Sequence, residues 1–107
     1  MTEYVTVAVA SDVRPGRTRA VELGSLCLLL CNVDGSFYAV ADVCTHDRGP
    51  LGEGRLRGST IECPRHGARF DVRDGSVVAP PAVRALPTFT VRVVEDQVEV
   101  AVPEDAP

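Results

Sequence analysis

Apolar and polar residues alternate along much of this chain with a period of two. In residues 4–10, Val5, Val7 and Val9 oppose Tyr4, Thr6 and Ala8, the spacing of a strand with one buried face. Residues 11–16 break the pattern. A second strand is expected over residues 17–23 and a third over 26–33, after a turn at Gly24-Ser25. Asp34-Gly35 leads into Phe37-Tyr38-Ala39-Val40, and an Asp-Gly pair between apolar runs predicts a tight hairpin turn. A short strand is expected at residues 59–62. Phe70-Asp71-Val72 and Ser76-Val77-Val78 flank Arg73-Asp74-Gly75 as a second Asp-Gly hairpin. Residues 86–94 and 97–102, joined at Glu95-Asp96, form a closing one.

Residues 48–58 hold four glycines and a proline, so regular structure cannot run far there. Pro80-Pro81, within residues 79–82, predicts an extended loop of fixed shape, and residues 103–107 a frayed tail. No stretch keeps helical spacing over three turns. The pattern specifies an all-β protein of eight to ten short strands, arranged as a sandwich or as stacked sheets. A chain of 107 residues fits a single domain over 1–107.

The net charge is −4, and all eleven basic residues are arginines scattered along the chain, which leaves no nucleic-acid footprint. The N-terminus has no basic and apolar leader, and the longest strongly apolar run, residues 26–31, is too short to cross a bilayer. A cytoplasmic protein without a membrane segment is expected. In that compartment four cysteines argue for metal or free thiols rather than a disulfide framework. Cys27 and Cys31 fall on one face of the third strand about 13 Å apart, too far to bridge, and read as buried free thiols.

The other two cysteines sit beside the only two histidines of the chain. Cys44-Thr45-His46 is followed, after residues 47–62, by Cys63-Pro64-Arg65-His66-Gly67, so two short loops each offer one sulfur and one nitrogen. Three readings follow from that arrangement. The four side chains are simply buried; or they hold a structural zinc, whose usual ligand pairs are Cys with Cys and His with His at wider spacings; or they hold a [2Fe-2S] cluster with one iron on two thiolates and the other on two imidazoles. Mixed Cys/His pairs favour the third, because each loop must reach both irons.

These two motifs resemble those of the Rieske family, and the likeness continues through Gly49-Pro50-Leu51, Phe70-Asp71 and Pro80-Pro81. The resemblance implies that Cys44 and Cys63 bind one iron and His46 and His66 the other. It also implies a Rieske-type antiparallel β-sandwich with a small cluster-binding subdomain at about residues 42–82. High-potential members of the family link their two loops by a disulfide and place serine and tyrosine hydroxyls near the cluster. The matching positions here are Gly49 with Arg65, and Ala68 with Phe70, so no bridge and neither hydroxyl is available. Hydroxyl donors stabilise the extra negative charge of the reduced state, so a soluble ferredoxin of lower potential is implied.

Such a protein is a one-electron carrier rather than an enzyme, a monomer that takes electrons from a flavin-dependent reductase and passes them to a terminal oxygenase or another redox acceptor. In the family the histidine edges are the electron exit, and Asp47, Arg48, Gly49, Pro50, Arg65, Pro80 and Pro81 would form a docking rim. The chain also resembles the small Rieske-like subunit of assimilatory nitrite reductases and ferredoxins associated with iron-sulfur assembly.

Overall fold

The strand Leu26–Val33 (β3) carries three consecutive buried leucines, Leu28, Leu29 and Leu30, because both of its faces are covered. A strand with one solvated face alternates; one buried on two sides reads as a continuous apolar run. Leu28 and Leu30 face one core, with Val98 and Val100, while Leu29 and Cys31 face another, with Cys44, Leu51, Ile61, Cys63 and Phe70. Each fully buried leucine contributes about 2 kcal/mol of transfer free energy. The computed structural model in which this is seen describes residues 2–44, 49–52 and 54–103.

Around β3, the described residues form eleven strands in three antiparallel sheets. The middle sheet has the order β2 (Thr18–Leu23), β3, β4 (Ser36–Ala41), β9 (Thr88–Phe89). On one side lies a three-stranded sheet of β1 (Thr2–Val9), β11 (Gln97–Pro103) and β10 (Val91–Val94). The third sheet runs β5 (Arg55–Arg57), β6 (Thr60–Glu62), β7 (Arg69–Asp71), β8 (Val77–Ala79) and packs its Ile61 and Phe70 against the opposite face. Neighbouring strands in this sheet are also neighbours in sequence, as short hairpins dictate.

The turns follow from their residues. Asp34 and Gly35 both take positive φ, 55° and 95°, and pair Val33 with Ser36 across a two-residue hairpin. Glu95 and Asp96 do the same at 50° and 67°, pairing Val94 with Gln97. Positive φ at both central positions gives the twist that matches the flanking strands. The hairpin at Arg73-Asp74-Gly75 is wider than its sequence suggests. Its strands end at Asp71 and resume at Val77, and the turn between them is closed by the Gly75 N–H donating to the Asp71 carbonyl and the Asp71 N–H donating to the Ser76 carbonyl.

Three expectations need correction. Residues 86–94 are not one strand: β9 pairs with β4 and β10 with β11, so the chain changes sheets at Thr90. The first strand contains a bulge between Thr6 and Ala8, after which the inward phase flips. Val7, Ala8 and Ala10 pack against the core, and Val9, expected inside, is exposed. Residues 55–57, within the glycine-rich segment, form a strand of only three residues paired with β6, as short as that composition requires. Among the described residues the strand count is eleven rather than eight to ten. The tail beyond residue 103 lies outside the described residues.

Cys27 is a fourth correction, since it is exposed while Cys31 is fully buried. They share a face of β3, but cover runs out toward the Leu26 end. Burial, reinforced by the nearby Asp42 carboxylate, pushes the Cys31 thiol up to about 12. Because only the thiolate reacts, iodoacetamide at pH 8 should label Cys27 and leave Cys31 unlabelled in the folded protein. Peptide mass spectrometry before and after denaturation checks this.

Candidate metal centre

Two loops carry the residues singled out above, one following β4 of the middle sheet and one between β6 and β7 of the third. The first leaves β4 and reaches Cys44, which is fully buried. Its N–H donates to the Gly49 carbonyl at 2.7 Å, tying together the chain on either side of residues 45–48. His46, with Asp47 and Arg48 of the expected rim, lies outside the described residues.

The second loop joins β6 to β7 and closes on itself. The Cys63 N–H donates to the Ala68 carbonyl at 2.7 Å, and the Gly67 N–H donates back to the Cys63 carbonyl at 3.1 Å. Gly67 takes φ 77°, the left-handed conformation that lets the chain return so quickly. The loop thereby buries Cys63 to 1% exposure and leaves Pro64, Arg65 and His66 at the surface.

Cys44 and Cys63 come together in one buried cluster with Leu51, Ala68, Phe70 and Ala82. Ala82 follows the proline loop, in which the Pro80-Pro81 bond is cis and both prolines are exposed. That loop therefore packs against the same core as the two thiols. Gly49 and Arg65 face each other as the sequence comparison of those positions implies. A Cβ at residue 49 would sit 2.5 Å from the Arg65 Cζ.

Asp42 is a positioning residue that sequence reasoning missed. Its Oδ1 accepts from the N–H groups of Leu51 and Gly52 at 2.8 and 3.0 Å, holding residues 49–52 beside the Cys44 loop. The available signal was an aspartate in a bend ahead of a glycine-rich segment, where carboxylates commonly accept backbone bonds. Asp42→Ala should cost about 2 kcal/mol by leaving two loop donors without their charged acceptor, and Asp42→Asn about half that. Urea unfolding of both variants measures the difference.

Among the described residues, no three Cys, His, Asp or Glu side chains are placed to bind one ion together. Two soft sulfurs in one buried apolar cluster, with an imidazole from the Cys63 loop at the surface, suit a two-iron group whose ligands are divided between metals. They suit a single tetrahedral zinc less well. Residues 3–90 match the Rieske [2Fe-2S] domain.

The chain belongs to that family. The cofactor of this Rieske protein is accordingly a [2Fe-2S] cluster, and the zinc alternative falls away. Ferredoxin CarAc of Metapseudomonas resinovorans is 41% identical over 99 residues, 92% of each chain. The ferredoxin component of biphenyl 2,3-dioxygenase from Rhodococcus jostii is 39% identical over 86% of each. Among solved structures, the complex of reduced oxygenase and oxidized ferredoxin in carbazole 1,9a-dioxygenase contains a chain with TM-score 0.87 and 41% identity, aligned over 92% of both. A nitrite reductase small subunit from Mycobacterium tuberculosis is less similar, at 26% identity and TM-score 0.82 over 96% of this chain. The Rieske protein thus groups with electron-carrying ferredoxin components rather than with catalytic subunits. No helix among its described residues is long and apolar enough to cross a membrane.

Proposed function

We propose that this Rieske protein carries single electrons from a flavin-dependent reductase to a terminal oxygenase, as a monomer in the cytoplasm. When bound, the cluster supplies a one-electron centre. Cys44 and Cys63 would hold one iron and His46 and His66 the other, within a cluster-binding subdomain at about residues 42–82.

The observation that carries this reading is the contrast within one loop: Cys63 is 1% exposed while His66, three residues on, is exposed. Sulfurs inside and an imidazole at the surface give the centre one open side, where a partner can approach closely. Exposed Pro64, Pro80 and Pro81 would flank that side as rigid docking elements. The likeness to ferredoxin components over nearly full length favours a diffusing carrier over the fixed subunit of a nitrite reductase.

The test is reconstitution with iron and sulfide, reduction with dithionite, and EPR. A rhombic signal below g = 2 that disappears in His66→Ala supports the ligand set. Transfer of one electron per protein to a purified ring-hydroxylating oxygenase supports the acceptor; a protein that is reduced but never reoxidised by such an oxygenase overturns it.

The potential is a further expectation. Ala68 and Phe70 are both fully buried and neither has an O–H to offer a sulfur. The midpoint should therefore fall in the lower part of the range of about −150 to +300 mV found for such centres. Redox titration returning a value above about +150 mV would contradict this account.

A further inference from the structure

One side chain crosses between the two loops. Arg65 leaves the second loop and lays its guanidinium over Gly49 of the first. Its Nη1 donates to the Pro50 carbonyl at 2.9 Å, and its Nη2 donates to Cys63 Sγ at 3.4 Å. A Cβ at residue 49 would meet Cζ, Nη2 and Nε of Arg65 at 2.5, 2.6 and 2.8 Å. Glycine at 49 is what allows the cation to lie flat there. The same Gly49 accepts the Cys44 N–H through its carbonyl. One planar cation thus touches backbone of the first loop and a sulfur of the second, next to the residue that anchors the other sulfur.

We infer that Arg65, seated on Gly49, is a polar staple between the two cluster-binding loops, and that its N–H bond to the Cys63 sulfur biases the protein toward its reduced state. The inference rests on the ligand assignment proposed above.

Two properties of the guanidinium carry it. Its donors form a rigid planar fork, so it can serve an acceptor on each loop at once, which a lysine ammonium on a flexible stem does less well. It is also a fixed positive charge donating to sulfur. Two ferric ions, two sulfides and two thiolates sum to zero, and one added electron leaves −1. A cationic donor on a ligand sulfur stabilises the more negative state. Because Arg65 is exposed, solvent and salt screen part of this effect.

The experiment uses the reconstituted protein, three single variants and one double variant, with two readouts: the midpoint by potentiometric titration, and the rate of loss of visible absorbance in EDTA. Arg65→Leu should shift the reduction equilibrium about tenfold toward the oxidised state, a fall of about 59 mV for one electron. It should also speed cluster loss severalfold. Arg65→Lys should stay within about threefold of the parent equilibrium, having kept the charge, yet lose the cluster nearly as fast as Arg65→Leu.

Gly49→Ala should reproduce Arg65→Leu by displacing the guanidinium, and the double variant should be no worse than either single one. Additive effects of Gly49→Ala and Arg65→Leu, or an Arg65→Leu equilibrium within about twofold of the parent, would overturn the staple while leaving the ligand assignment intact. If Arg65→Leu holds no cluster, a Gly49→Ala equilibrium within about twofold of the parent, or an Arg65→Lys protein that keeps its cluster as long as the parent, would overturn the staple. A parent protein lacking the rhombic EPR signal would instead remove the ligand assignment on which the staple depends.

Discussion

Gly54→Ala should destabilise the protein by about 3 kcal/mol, near the upper end for forcing a methyl into packed backbone. The added Cβ would lie 1.9 Å from the Glu62 carbonyl oxygen, 3.0 Å from its carbon and 3.1 Å from the Leu51 carbonyl oxygen. None of these is the movable end of a side chain. Gly54 also donates its N–H to Leu51 at 2.8 Å, and the next residue, Arg55, pairs with Glu62 across β5 and β6. Moving Glu62 aside would drag Cys63 with it.

The damage should therefore appear in two measurements. The melting temperature should fall by about 15 °C, given the usual change of 4–8 °C per kcal/mol at this size, and the reconstituted cluster should be incompletely retained. Gly52→Ala is the control. Its Cβ would meet nothing closer than 3.7 Å, so that variant should melt within a few degrees of the parent.

Phe70→Ala should cost about 3–5 kcal/mol, a large part of the roughly 5–15 kcal/mol that holds a typical domain folded. Phe70 is fully buried on β7, opposite Ile61 of β6 and Val77 of β8. It belongs to the cluster that holds Cys44, Cys63, Leu51 and Ala68, so truncation opens a void within the core that buries both sulfurs. Neighbours drawn from three separate segments cannot all collapse into that void. Equilibrium urea unfolding should show a much lower midpoint with a similar slope, and visible absorbance should bleach faster than in the parent. A loss below about 1.5 kcal/mol would mean that the third sheet closes around the gap and contributes less to the core than its burial indicates.

How far the sequence could be read depended on the range of the interaction involved. The hairpin turn at Asp34-Gly35 is local: two residues that tolerate positive φ, flanked by apolar runs, leave few alternatives. That Cys44 and Cys63 share one buried cluster was foreshadowed by their two short motifs, because each half is short enough to be a single loop. Asp42 was not, since its partners Leu51 and Gly52 are brought to it only by the return of the chain. The exposure of Cys27 escaped for a related reason. Parity along a strand tells which side a residue faces but not where the covering layer ends.

The all-β class, the two tight turns at Asp34-Gly35 and Glu95-Asp96, and the identity of the thiols and imidazoles available to a metal can be read from the sequence alone. All of these depend on residue type and on spacing within a few positions. Only the tertiary structure decided that the middle sheet is covered on both faces, that residues 86–94 divide between two sheets at Thr90, and that Arg65 lies across Gly49. Each of those depends on which distant segments share a boundary. Such proximity is set by the packing of whole sheets, where burial rewards total contact and takes no account of position along the chain.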